Sequence, residues 1–267
     1  MTDLITSANN PIVKRIRSLA DRKARKREGV FLVEGIQPVW RAVESGWGID
    51  TLVIAPQLIT NGAVFEMARD LKARGVRIAE LSADVFTRLS ERDGPAGVMA
   101  IVEMQSSGLA DLNPGPADCW ILLHRVHNPG NLGTIIRTAD ASGMAGIILT
   151  GDSTDAFAPA SVKASMGSIF SLPMVIERDT DRVLGRLNET NVRCVGTSGY
   201  AEHEHWDADW NGPICIVLGN EGDGLPEDIL AQLDSTVRIP MTGTAESLNL
   251  SIAAAVLMYE AKRHAIP

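Results

Sequence analysis

From Trp120 onward the chain alternates short apolar runs with helical patterns, and this alternation constrains the fold more than any other feature. Runs at Trp120–Val126, Gly146–Thr150, Met174–Ile176, Arg193–Thr197, Ile214–Leu218 and Thr236–Ile239 predict strands. Helical patterns fall at about Leu132–Ser142, Pro159–Ser168, Asp181–Asn188, Pro226–Leu233 and Leu248–His264. Continuously apolar strands are buried on both faces, and parallel neighbours need crossovers of helix length. The class is therefore α/β, with a mostly parallel sheet covered on both sides.

A smaller α/β unit precedes it. A helix is expected from Asn10-Pro11 to about Arg27, with Ile12, Ile16 and Leu19 as its apolar stripe. Strands follow at Val30–Val33, Ile49–Ile54, Val76–Glu80 and Gly97–Glu103, with helices at about Gln37–Ser45, Ala63–Arg74 and Ala83–Leu89. Gly, Pro, Ser and Asn collect between Gln105 and Asp118, which marks a linker. The expected division is 1–105, a linker at 106–118, and a second domain at 119–267.

Composition excludes several classes. Of 267 residues 45% are hydrophobic and 22% charged, so a core can form and global disorder is ruled out. No apolar run reaches the ~18–20 residues that cross a bilayer. The start of the chain lacks an apolar stretch before its basic cluster, so no secretory signal is expected. Cys119, Cys194 and Cys215 lie far apart in apolar runs, the profile of reduced thiols in a cytoplasmic protein.

The net charge of −8 hides an asymmetry. Residues 1–30 carry eight cations (Lys14, Arg15, Arg17, Arg22, Lys23, Arg25, Lys26, Arg27) against three acids, leaving +5 on an otherwise acidic chain. Clustered cations on one segment suit a polyanion; they also suit a solvated helix face. With only 12 aromatic residues, a base-stacking platform is not expected.

Common catalytic signatures are missing. There is no G-x-G-x-x-G after Trp120–Val126, no phosphate-binding P-loop and no G-x-S-x-G elbow. His124 with His127, and His203 with His205, are close pairs without Cys partners at zinc spacing, so no metal is expected; the second pair reads as a surface loop. Three strand-end segments stand out instead. In HNPGNLGTIIRTADASG (127–143), Asn131 can cap a helix whose stripe is Leu132, Ile135, Ile136 and Ala139, and Arg137 lies off that stripe. In VLGNEGDGLP (217–226), closely spaced glycines follow a buried strand and place Glu221 where open α/β sheets bind ligands. In IPMTGTAESLNLSIAAAVLMYE (239–260), a helix is expected from near Ser247 with the stripe Leu248, Ile252, Ala255 and Tyr259; Ser247 and Asn249 sit at its start.

These stretches resemble, in order and spacing, the three motifs of the SpoU/TrmH family of RNA ribose 2′-O-methyltransferases in the SPOUT superfamily. Asn10 to Gly35 resembles the substrate-binding domain of members that act on ribosomal RNA. The resemblance implies a SPOUT-type parallel sheet tied in a deep trefoil knot, an exception to unthreaded connections, plus an N-terminal ribosomal-protein-L30e-like domain. It also implies S-adenosylmethionine as cofactor, a homodimer and an RNA substrate, with ribosomal RNA favoured over transfer RNA. Carried over by position, Thr197, Gly199, Leu218, Gly219, Ile239, Met241 and Leu248 would hold the cofactor. Arg137, Asn131, Glu221, Ser247 and Asn249 would form the catalytic site. Arg137 serves there as a phosphate clamp and alkoxide stabiliser, while Glu221 is either a base or a brace. Lys14, Arg15, Arg22, Lys23, Arg25, Lys26 and Arg27 are the expected RNA contacts. A ribosome-assembly factor without methyl transfer is the competing reading.

Overall fold

The structure, a computed structural model, describes residues 4–263. Its contacts divide into two units, Met1–Gln105 with Phe157–Phe170, and Ser106–Ala156 with Ser171–Pro267.

The first unit opens with α1 (Pro11–Ser18) and α2 (Arg22–Glu28), followed by β1 (Val30–Glu34), α3 (Ile36–Glu44), β2 (Ile49–Ile54), α4 (Ala63–Ala73), β3 (Arg77–Glu80), α5 (Ala83–Thr87) and β4 (Val98–Glu103). The sheet order is β1-β4-β2-β3, with β4 antiparallel to both neighbours and β2 parallel to β3. Ile12, Val13, Ile16 and Leu19 close its core against Val30, Val53, Met99 and Ile101.

The single helix expected to Arg27 is broken at residues 19–21. Asp21 caps α2 by accepting the Lys23 N–H at 2.8 Å. The Arg25 guanidinium, 2% exposed, turns back and donates to the carbonyls of Leu19 and Ala20, both at 2.8 Å. A buried cation thus satisfies carbonyls that the break exposes. This corrects the expectation for Arg25, which is an internal strut and not a surface contact.

The second unit runs β5 (Cys119–His124), α6 (Pro129–Ala141) and β6 (Gly146–Thr150). The chain then leaves for α7 (Pro159–Ser165), which packs on β1 in the first unit. It resumes with β7 (Met174–Ile176), α8 (Thr180–Glu189), β8 (Arg193–Thr197), β9 (His203–Glu204), β10 (Ile214–Leu218), α9 (Glu227–Leu230), β11 (Ser235–Arg238) and α10 (Leu250–Lys262). All seven strands are parallel in the order β7-β6-β5-β10-β8-β11-β9. From β5 the chain winds outward through β6 to β7, then returns to build the other half. The order reverses between β5 and β10, and the carboxyl ends there are the expected ligand edge.

Two expectations change here. His203 pairs as β9 beside Val237, and His205 is 7% exposed against the Trp206 ring at 4.7 Å, so that stretch is not a plain surface loop. The α10 stripe is also inverted: Ser251, Ala254, Leu257 and Met258 are buried, whereas Ile252 (51%), Tyr259 (47%) and Leu248 (37%) are exposed. The expected end of that helix, His264, lies outside the described residues.

Candidate active site

The chain leaves β5 through Arg125, a non-glycine residue at φ +55°, and enters α6 through Asn128-Pro129. Asn128 is the cap, its Oδ1 accepting the N–H groups of Gly130 (2.8 Å) and Asn131 (3.0 Å). Asn131 was the expected cap, but proline fits the first helical position, and that places the cap at Asn128. The Asn131 side chain is thereby released for other work.

Beside it, the turn after β10 is closed by paired backbone hydrogen bonds between Asn220 and Gly224 (3.1 and 3.0 Å). A Cβ at Gly219 would overlap the Gly224 carbonyl, and Gly224 itself sits at φ +70°, so both positions need glycine. This turn aims Glu221 at the start of α6. Its carboxylate accepts the backbone N–H of His127 (3.3 Å) and of Asn128 (3.1 Å), and Asn131 Nδ2 (3.2 Å). Partial burial pushes the Glu221 pKa up, but these hydrogen bonds and one from its own backbone outweigh it, and the net shift is downward. Both Glu221 oxygens are thus engaged by donors, and the lowered pKa makes the group a weaker base than an ordinary carboxylate.

The third segment joins through Asn249. Its Oδ1 accepts Ser251 N at 2.9 Å and caps α10, which starts at Leu250 instead of near Ser247. Its Nδ2 donates to Asn131 Oδ1 at 3.1 Å. One hydrogen-bonded chain, Asn249–Asn131–Glu221, therefore ties all three segments together. Ser247 lies in the exposed loop two residues before Asn249.

Leu132, Ile135, Ile136 and Ala139 are buried as the stripe predicted. Arg137 is exposed on the same helix, and among the described residues nothing forms a hydrogen bond or ion pair with its guanidinium. A second network lies alongside. Asn220 Nδ2 donates to Arg125 O (3.0 Å) and lies 3.1 Å from His127 Nδ1, while His127 Nε2 is 3.5 Å from Asp152. The Asp152 pKa is lowered by Arg125 first and His127 second. Sequence reasoning missed Asn128, Asn220 and Asp152; only Asn128 had a readable signal, the proline after it.

The seven positions expected to hold a cofactor lie at one edge. Thr197 ends β8 and Gly199 lies in the loop after it, Leu218 ends β10 and Gly219 follows it, Ile239 and Met241 follow β11, and Leu248 precedes α10. These three strands are neighbours, in the order β10-β8-β11. Leu218 is buried, Met241 and Leu248 are each 37% exposed, and Thr197 Oγ1 donates to Val217 O at 3.3 Å. His124 is buried between Thr150 and Thr180, and burial lowers its pKa. No cluster of potential metal ligands occurs among the described residues.

The second unit is thus an α/β domain with three interlocked polar loops at the carboxyl edge of a parallel sheet, the edge at which such sheets commonly bind ligands. Residues 118–259 match the SpoU rRNA methylase family, and residues 10–100 match the MRM3-like substrate binding domain. The chain belongs to the SpoU rRNA methylase family. It is 35% identical to a 23S rRNA (uridine(2479)-2′-O)-methyltransferase of Streptomyces viridochromogenes, over 98% of this chain and 92% of the relative. It is 31% identical to the 23S rRNA (guanosine(2553)-2′-O)-methyltransferase RlmP of Bacillus subtilis, over 96% and 97%. An AdoMet-bound rRNA methyltransferase structure from Sinorhizobium meliloti superposes with a TM-score of 0.92 at 38% identity, covering 100% of this chain and 99% of that one.

Proposed function

We propose that this protein is an S-adenosylmethionine-dependent methyltransferase that modifies a ribose 2′-hydroxyl in 23S ribosomal RNA. The observation that carries the reading is the Asn249–Asn131–Glu221 chain, which fixes three loops on one edge while Arg137 stays uncommitted. The cofactor fits the edge beside it: Gly219 lets backbones approach closely, and Ile239, Met241 and Leu248 offer partly exposed apolar surface to an adenine. When bound, S-adenosylmethionine supplies an electrophilic methyl group on sulfur.

A ribose hydroxyl is a weak nucleophile at neutral pH. Arg137 holds an RNA phosphate and stabilises charge developing on the 2′-oxygen; as a guanidinium it does not serve as the base. Glu221 keeps residues 127–131 in place, and the hydroxyl proton leaves to a phosphate oxygen or to solvent. Asn249 positions Asn131, with Ser247 on the same rim. In the first unit, Lys14, Arg22, Lys23, Lys26 and Arg27 are exposed and reach RNA phosphates.

The trefoil knot and the L30e-like first domain belong to this reading. β10 inserted between β5 and β8, with its turn clamped to residues 127–128, supports the knot. A homodimer is supported by the exposed apolar face of α10, whose Ile252 and Tyr259 lack cover in one chain. A cytoplasmic setting agrees with three free, buried cysteines; burial pushes the Cys119 thiol up to about 12. No helix among the described residues is long and apolar enough to cross a membrane.

The test is methyl transfer from labelled S-adenosylmethionine to 23S rRNA and to tRNA in parallel, with the product mapped by mass spectrometry. Ribose methylation at one 23S site is expected. Label on tRNA alone would redirect the substrate, and none on either RNA would leave an RNA-binding assembly factor. Sedimentation of the same sample is expected to show a dimer.

A further inference from the structure

The first unit holds a cleft of about 190 Å³ between α1, β1, the segment after α5, and α7. Its wall includes Ile16, Leu32, Leu89 and Val162. Around that apolar surface stand four cations, Arg17, Arg88, Arg92 and Lys163, against two acids, Glu34 and Glu91.

The polar groups are unevenly committed. Lys163 Nζ donates to Glu91 O at 2.9 Å, and Arg88 pairs with Asp84 at 3.2 Å. Glu34 accepts the Ser90 hydroxyl and the Glu91 N–H (3.2 Å), one on each oxygen, leaving acceptor capacity on both. Arg92 Nε is buried without a hydrogen-bond partner, an expensive state for a cationic donor. Spare carboxylate lone pairs and an excess of cations at the rim are a poor match for a wholly apolar ligand. They match a nucleotide, whose base has flat apolar faces and N–H edges and whose phosphate is anionic. The volume lies below the ~300–1,000 Å³ of sites for larger ligands, so it admits one base and not a helix.

We propose that this cleft binds a single unpaired nucleotide of the RNA substrate, distinct from the one that is methylated. The base lies against Leu32, Leu89 and Val162 with an N–H edge toward Glu34, and the phosphate meets Arg17 and Lys163. The proposal rests on the RNA substrate argued above and adds a second anchoring point to it. An unpaired nucleotide is the form of RNA whose base edges a protein can read, so the cleft contributes to choosing the site.

The experiment separates base from phosphate. Ala20 lines the cleft, is exposed and has a small side chain, so Ala20→Phe, or the milder Ala20→Leu, fills the space without opening the core. Equilibrium binding of protein-free 23S rRNA is measured across a salt series, beside methyl transfer, cofactor calorimetry and thermal melting. Ala20→Phe is expected to weaken RNA binding about tenfold with an unchanged salt slope. The double variant Arg17→Gln/Lys163→Gln should weaken it with a slope smaller by about two, since each phosphate contact releases about one counterion. Lys72→Gln, an exposed cation on α4, serves as the charge control and should move neither quantity. Unchanged affinity in folded Ala20→Phe and Ala20→Leu overturns the proposal. So does an effect seen with ribosomal particles and absent with protein-free RNA, which assigns the cleft to a protein partner. If wild type binds RNA through the cleft yet transfers no methyl group, the proposed activity fails while the cleft stands.

Discussion

Two regions rich in polar side chains handle their charges in opposite ways. In α1 and α2 much of the conspicuous basic character is used to hold the chain together. Arg15 forms a two-pronged pair with Asp50 (2.6 and 3.1 Å) and also reaches Glu28 at 2.8 Å. The Asp50 hydrogen bond raises the Arg15 pKa, and Arg15 in turn lowers that of Asp50. Arg25 is buried on backbone carbonyls. At the sheet edge the three segments are tied together by neutral amides and the Glu221 carboxylate, and Arg125 is paired with Asp152, while Arg137 on α6 is left open. Clustered charge in a sequence therefore says little about availability. An isolated Arg on a polar helix face, next to a loop network that is already satisfied, says more.

The sharpest way to break the comparison is Arg137→Ala. Exposure means that truncation leaves no cavity, so stability should change by roughly 1 kcal/mol or less. Methyl transfer should nevertheless fall by ~100-fold or more, the scale of losing a preorganised charge aimed at a developing anion. Arg137→Lys should recover little, because an ammonium lacks the planar fork. Single-turnover methylation beside calorimetric cofactor binding decides it. Near-normal turnover removes the role, and equal losses of binding and turnover make Arg137 structural.

The opposite pattern is expected at Arg25. Arg25→Ala strips the donors from the Leu19 and Ala20 carbonyls and leaves a gap where the chain turns, at a cost of about 2–4 kcal/mol. Chemical denaturation should show that loss, while the salt dependence of RNA binding changes little. A stable variant with a flatter salt slope would return Arg25 to the surface.

Glu221 tests the edge from within. Replacing it by Gln lets the amide oxygen keep Asn128 N and Asn131 Nδ2 but turns the NH2 toward His127 N, so one contact is lost and one repulsion gained. A rate loss of about tenfold is expected, with no shift in the pH–rate profile between about pH 6 and 9, far above an ordinary carboxylate. The sign follows from the lowered pKa: the brace is fully present above the unfolded value and weakens only as pH falls through the folded one. Loss of an acid limb near neutrality in Glu221→Gln would restore the general-base reading.

How far the sequence could be read follows the same division. The β6, β7, β8 and β10 ranges and the α6 stripe were legible because apolar runs and 3.6-residue spacing are local signals. The break between α1 and α2 was not, since it depends on a buried Arg25 that composition presents as one more surface cation. The face of α10 was read backwards because Ile252, Ala253, Ala254, Ala255, Val256, Leu257 and Met258 are apolar nearly all round, so spacing alone picks no side. The three strand-end segments stand out by motif; that Asn131 bridges while Asn128 caps required the geometry.

The smallest effect concerns the cations the structure leaves outside. Lys23 and Lys26 are exposed on α2, and among the described residues Arg27 meets only Glu28, at 3.4 Å with its side chain 72% exposed. Changing all three to Ala should leave stability within about 0.5 kcal/mol, as surface substitutions usually do. At low salt RNA binding should weaken modestly. The informative number is the slope of log affinity against log salt, which should fall by about two to three if each side chain neutralises a phosphate. Cofactor affinity should stay the same, because these residues lie in the first unit and the proposed cofactor positions in the second. An unchanged slope would make α2 a solvated helix face. RNA contacts in the first unit would then narrow to its cleft and to Lys14 and Arg22, which this variant leaves in place.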